Sequence, residues 1–80
     1  MKLVTEYYLP VMVTDDSLIA YVICSDMESA SDEIADHIEK MIKWCVENHR
    51  YYGGMEINDH ELVTEFPVAV HVVEIVLPII

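Results

Sequence analysis

The alternation of apolar and polar residues along the chain predicts two strands before a central helix. Residues 2–13 alternate with period two, as a half-buried strand does, and Pro10 places this strand at a sheet edge or at a bulge. Residues 15–17, Asp-Asp-Ser, indicate a turn. Residues 18–24 are apolar along their whole length, which is typical of a central strand covered on both sides.

The next segment has helical spacing, because the apolar residues over positions 34–49 recur mostly every three or four residues. The predicted apolar stripe consists of Ile34, Ile38, Met41, Ile42, Cys45, Val46 and His49. We expect Ser29 or Ser31 to cap the helix, and the glycine pair at 53–54 to end it. The pattern therefore predicts one long amphipathic helix.

The remainder of the chain predicts a second pair of strands. Residues 55–57 indicate a short strand, residues 58–61 a turn, and residues 62–77 a long strand kinked at Pro67. The order is β-β-α-β-β, with a single amphipathic helix packed on one face of an antiparallel or mixed sheet. Residues 1–80 are expected to form one α+β domain.

One helix covers only one face of such a sheet, although the middle and last strands are apolar on both. We therefore expect a homodimer, or a hydrophobic partner, on the uncovered face, with Leu77, Ile79 and Ile80 at the interface. The alternative is a monomer in which tyrosine and methionine side chains fold over that face.

Charge then narrows the choice of partners. Fifteen acidic residues against four basic ones give a net charge of −11, while 54% of the residues are hydrophobic, which argues against a disordered chain. Direct nucleic-acid binding and anionic membrane surfaces are disfavoured, and a basic protein surface is favoured. Two cysteines and no recognisable signal peptide predict the cytoplasm, that of a host if the protein is viral.

Few residues suggest chemistry. Cys45 and His49 have the i, i+4 spacing of helical metal ligands, but a buried thiol and a core histidine explain them as well. His60 has the character of a general base or weak ligand, or of a solvated turn residue, and His37 is expected on the helix surface beside Glu33. We therefore predict a non-enzymatic protein with no catalytic residue, metal or cofactor.

The acidic residues around the helix N-terminus are the most informative feature. The candidate partner-binding residues are Asp26, Glu28, Asp32, Glu33, Asp36 and Glu39. They form either an ordinary solvated face or a row of charges that imitates nucleic-acid phosphates. The second interpretation predicts an inhibitor that blocks the basic site of a nucleic-acid enzyme, similar in size and charge to phage proteins of the anti-restriction and anti-CRISPR class. The alternative function is a structural or regulatory homo-oligomer.

Overall fold

One helix and four strands make up most of the chain that the computed structural model describes, namely residues 11–63, 65 and 69–80. The elements are β1 Met12–Val13, β2 Ser17–Cys24, α1 Met27–Glu47, β3 Glu56–Leu62 and β4 Val70–Pro78. The predicted α+β class and β-β-α-β-β order are confirmed. The predicted first strand is described only from residue 11 onward. The predictions made for Pro10, an edge or a bulge, and for Pro67, a kink, fall on residues outside the described ones.

All four strands belong to one antiparallel sheet with the order β1-β2-β4-β3. The register sets Leu18 opposite Leu77 and Cys24 opposite His71. Residues 18–24 therefore form a central strand, as their uniform apolarity predicts. The turn predicted at residues 15–17 is also present, since it connects β1 to β2.

The core lies between α1 and one face of the sheet, where the helix packs mainly on β2. Alternate residues of β2 and β4 point towards the helix. The largest side chains with less than 2% exposure are Leu18, Val22, Cys24, Cys45, Val73, Ile75 and Leu77. Burying a large aliphatic side chain contributes about 1.5–3 kcal/mol. Among the described residues, no helix or strand packs on the opposite face of the sheet.

The N-terminus of α1 lies before the two predicted serine caps. The carboxylate of Asp26 accepts a hydrogen bond from the backbone N–H of Glu28 at 2.8 Å, so Asp26 is the N-cap residue. Ser29 and Ser31 are inside the helix. The predicted serine cap is therefore wrong, because an aspartate satisfies the same orphan donors earlier in the chain.

The C-terminus of α1 lies before the glycine pair at 53–54, so the predicted glycine stop is wrong as well. His49 adopts a left-handed backbone with φ 54°. Its N–H donates to the carbonyl of Val46 at 3.3 Å, and the N–H of Arg50 donates to the carbonyl of Cys45 at 2.8 Å. This pair of bonds is a Schellman motif, in which histidine holds the position that glycine usually occupies.

The buried stripe of α1 is rotated relative to the predicted one. Its fully buried members are Ala30, Ile34, His37, Met41 and Cys45. His37, predicted at the helix surface, is only 4% exposed, whereas Val46 and His49, predicted in the stripe, are exposed. His37 is three residues after Ile34 and four before Met41, so helical spacing puts it in the stripe. Val46 points about 100° away from Cys45, and His49 lies beyond the end of the helix at Glu47.

Residues 58–61, predicted as a turn, belong to the edge strand β3. This strand runs antiparallel to β4 with Leu62 opposite Val70, so the chain reverses between them. The single long strand predicted over residues 62–77 is therefore wrong. Because β3 is exposed along almost its whole length, its sequence lacks the apolar alternation of a half-buried strand.

Candidate functional site

An acidic row follows the outer side of α1. It consists of Glu28, Asp32, Asp36 and Glu39, which recur at steps of four, four and three residues and are all exposed. Such spacing keeps the four side chains on one side of a helix, opposite the buried stripe. At a rise of 1.5 Å per residue, the row extends about 16 Å along the helix axis.

Among the described residues, one ion pair involves this acidic row and a second lies just beyond its C-terminal end. Lys40 Nζ lies 3.1 Å from Asp36 Oδ2, and Lys43 Nζ lies 4.0 Å from Glu47 Oε1. Both pairs are exposed, so each contributes at most about 1 kcal/mol. No lysine or arginine occurs between positions 27 and 39, which leaves Glu28 and Asp32 without a basic residue in their own helical turns.

Two of the six predicted partner-binding residues lie outside the acidic row. Asp26 is the N-cap and its carboxylate bonds the helix backbone, while Glu33 is half-buried on the flank of α1. The structure therefore brings four of the predicted residues together. The sequence alone could have separated the four from the two, because only they share a helical face.

A thiol lies near an imidazole–carboxylate pair at one end of the sheet, on the helix-side face. Cys24 Sγ lies 3.8 Å from the backbone oxygen of His71, and His71 Nδ1 lies 3.1 Å from Asp59 Oδ1. Burial raises the pKa of the Cys24 thiol, a hydrogen bond from the backbone of Asp26 partly opposes this, and the negative charges of Asp59 and Asp26 raise the pKa further. A nucleophilic cysteine needs a lowered pKa, so this arrangement favours a neutral, structural thiol.

Sequence reasoning did not single out this Cys24, His71 and Asp59 cluster. The three residues are far apart in the chain, and only the strand register brings them together. If the sequence predicted β3 as a strand paired with β4, it would also predict the cluster, because Asp59 is opposite Val73 and diagonal to His71.

The structure does not bring the candidate metal ligands together, which are Cys45 with His49 and, separately, His60. Cys45 is fully buried, whereas His49 is exposed beyond the end of α1, so the helical spacing on which the pair depends is lost. His60 is exposed on β3 opposite Val72. Within the described part of the chain, no group of three or more histidine, cysteine or acidic residues is arranged to hold a metal ion.

The face of the sheet away from α1 is apolar with a polar centre. Its half-buried residues on β2 and β4 include Ile19, Tyr21, Ile23, Val72, Glu74 and Val76. Asn58 Nδ2 donates to Glu74 Oε1 at 3.4 Å. A hydrogen bond with Glu74 is the main cause that raises the pKa of Tyr21, followed by burial and by the charge of Glu74. The Glu74 carboxylate is thus held by two neighbours.

The predicted oligomer-interface residues are held largely by the chain itself. Leu77 and Ile79 are 1% and 7% exposed and belong to the core, whereas Ile80 is 85% exposed. The N–H of Ile79 donates to the carbonyl of Asp16 at 2.7 Å, and that of Ile80 donates to Tyr51 at 2.8 Å. The C-terminal residues therefore leave only the Ile80 side chain for a partner.

No helix within the described ranges is long and apolar enough to cross a bilayer. Comparison with protein-family models, with curated proteins and with solved structures finds no match for this chain. The function must therefore be argued from the surfaces of the molecule itself.

Proposed function

We propose that this protein is a non-enzymatic binding module whose acidic row occupies a basic site on another protein. The observation that supports this proposal is the placement of Glu28, Asp32, Asp36 and Glu39 on one exposed face of α1. An amphipathic helix keeps its charged residues on the solvent face in any case, so what favours docking is that this face carries only negative charge, with no lysine or arginine between positions 27 and 39.

Spacing and net charge support the same function. Carboxylates four residues apart on a helix advance about 6 Å along its axis. Every second phosphate on one strand of a duplex advances about 7 Å, so the row resembles a strand of phosphates sampled at alternate positions. A net charge of −11 also steers the molecule towards a positive groove and away from nucleic acid.

The specific form of the proposal is an inhibitor that competes with nucleic acid for a nuclease groove, as phage-encoded blockers of restriction or CRISPR nucleases do. The proposed compartment is the cytoplasm, where such enzymes act. Both cysteines are free thiols, which is compatible with a reducing environment.

A competition assay tests this proposal. Binding of labelled duplex DNA to a panel of restriction and CRISPR nucleases is measured with increasing amounts of this protein, at low and at high salt. We expect at least one nuclease to be blocked, with affinity falling as salt rises from about 50 to about 500 mM. Failure to displace DNA from any enzyme of the panel, or competition indifferent to salt, would contradict the proposal.

Matched triple variants then locate the contact. Glu28→Gln with Asp32→Asn and Glu39→Gln neutralises the acidic row, and we expect it to weaken competition by about tenfold or more. The control neutralises three exposed acids elsewhere, at positions 56, 61 and 65, and changes the net charge equally. Equal losses in the two triple variants would mean that net charge alone, and not the acidic row, drives binding.

A second candidate function is a homo-oligomer that associates through the apolar face of the sheet. It is favoured by the half-buried Ile19, Ile23, Val72 and Val76, which face away from α1. Light scattering on the protein and on Val72→Asp tests it, with Val46→Asp on the exposed helix surface as the control. A strict monomer at high micromolar concentration would remove this candidate.

A further inference from the structure

A cavity of about 190 Å³ lies between α1 and the β1–β2 side of the sheet. Leu18 and Ala20 line it from β2, and Met41 and Trp44 line it from α1. Val11 lines it as well, next to β1. These walls are apolar, and cavities of about 150 Å³ with such walls hold one benzene-sized molecule.

One polar group interrupts the apolar walls. His37 lines the cavity, is 4% exposed, and its Nε2 finds no hydrogen-bond partner within the described part of the protein. A buried polar atom without a partner costs about 1–3 kcal/mol. Buried histidines in native proteins are normally satisfied, so the unpartnered nitrogen of a histidine that lines a cavity points to a ligand that supplies the missing bond.

We propose that this cavity is a binding site for a small neutral aromatic alcohol of the phenol class. The aromatic ring would occupy the space beside Trp44 and Met41, and the hydroxyl would bond Nε2 of His37. A hydroxyl group both donates and accepts hydrogen bonds, so it matches either tautomer of the imidazole. Ring contacts with an indole and a thioether add specific attraction to the burial of apolar area.

The charges around the cavity select a neutral ligand over an anionic one. Lys40 also lines the cavity, and its ammonium group is paired with Asp36 at 3.1 Å. A carboxylate ligand would have to compete with Asp36 for that ammonium and enter the field of a protein with net charge −11. Phenols carry no such charge near neutral pH.

Fluorescence titration tests the site directly, because Trp44 is the only tryptophan of the chain and lines the cavity. The probes are phenol, benzene and benzoate, added to the intact protein. We expect phenol to change the Trp44 emission with an affinity about tenfold higher than that of benzene or benzoate. No saturable response to phenol up to about 10 mM, or a preference for benzoate, would overturn the proposal.

His37→Phe isolates the role of the imidazole, since the ring shape is kept and the unpartnered nitrogen is removed. This change should be neutral or stabilising for the fold, because it eliminates a buried unsatisfied atom. We expect the preference for phenol over benzene to disappear, with benzene still bound. His60→Phe on the exposed strand β3 is the control and should keep the wild-type preference. A His37→Phe protein that still selects phenol about tenfold would show that Nε2 is not the recognition group.

Discussion

The two faces of the sheet carry similar side chains in different surroundings. Val73 and Val72 are neighbours on β4, yet Val73 is fully buried under α1 and Val72 is only half-buried on the other side. Each face also contains a polar pair, His71 with Asp59 on the helix side and Glu74 with Tyr21 on the other. The difference shows that apolarity identifies a central strand but does not identify which face is covered.

Truncating one valine on each face gives the largest expected contrast. Val73→Ala removes buried methyl groups and leaves a cavity, so we expect it to lower the free energy of unfolding by about 2–3 kcal/mol. Val72→Ala, with identical chemistry on the other face, is expected to lower it by about 1 kcal/mol or less. Urea denaturation measures both. Equal losses, or a Val72→Ala effect that grows with protein concentration, would mean that the second face is covered in solution.

Thiol reactivity probes the covered face alone. Cys24 and Cys45 are both buried, and burial raises the pKa of Cys24, so neither should react readily with a thiol reagent in the native protein. We expect modification to be about a hundredfold slower than in urea, because it has to wait for local or global opening. Rapid modification of either cysteine under native conditions would indicate that α1 does not remain on the sheet.

Alkaline titration probes the other face. The raised pKa of Tyr21 means that the folded state favours the neutral hydroxyl, so this stabilising contribution is present below about pH 10 and lost as pH rises through the folded-state pKa. Glu74→Gln should lower the pKa of Tyr21 and reduce the loss of stability at alkaline pH. Ultraviolet difference spectra across the titration report the tyrosinate. Glu56→Gln on β3 is the control, and an equal shift there would indicate a general charge effect.

Replacing the residue with a left-handed backbone after α1 gives the smallest expected change in the free energy of unfolding. His49 has φ 54°, which glycine adopts without strain. His49→Gly is expected to raise the free energy of unfolding by about 0.5–1 kcal/mol, whereas His49→Ala keeps the strain and should give no gain. Thermal denaturation compares the two variants. A stabilising alanine would show that the histidine side chain, and not its backbone, is unfavourable at this position.

Periodicity predicts the central features of this fold, because burial determines them. The uniformly apolar β2 and the helical spacing through Ile34 and Met41 identify two elements that the structure confirms. His37 lies three residues after Ile34 and four before Met41, so the same spacing would have placed it in the core. Its polarity favours the surface, so position and polarity give opposite predictions for this residue, and the structure follows position.

The strand β3 marks the limit of such reasoning. Its sequence Glu-Ile-Asn-Asp-His-Glu-Leu carries turn-forming residues at its centre, and only backbone pairing with β4 makes it a strand. Edge strands have no need for apolar alternation, so a pattern search does not find them. Because the sequence pattern does not predict β3 as a strand, it also does not indicate that Asp59 lies beside His71. The acidic row, by contrast, can be predicted from the sequence, because the spacing and the charge of its residues are enough to place them on one side of the helix.

The central position of β4 affects the order in which the chain folds during synthesis. The last described strand, β4, lies at the centre of the sheet beside β2. Cys24 of β2 bonds to His71 of β4, and these two residues are 47 positions apart in the sequence. Pairings this distant close late in folding, and they require the chain to have left the ribosome as far as β4. Until then β2 lacks the neighbour that completes it, and a net charge of −11 opposes association between copies of the unfinished sheet.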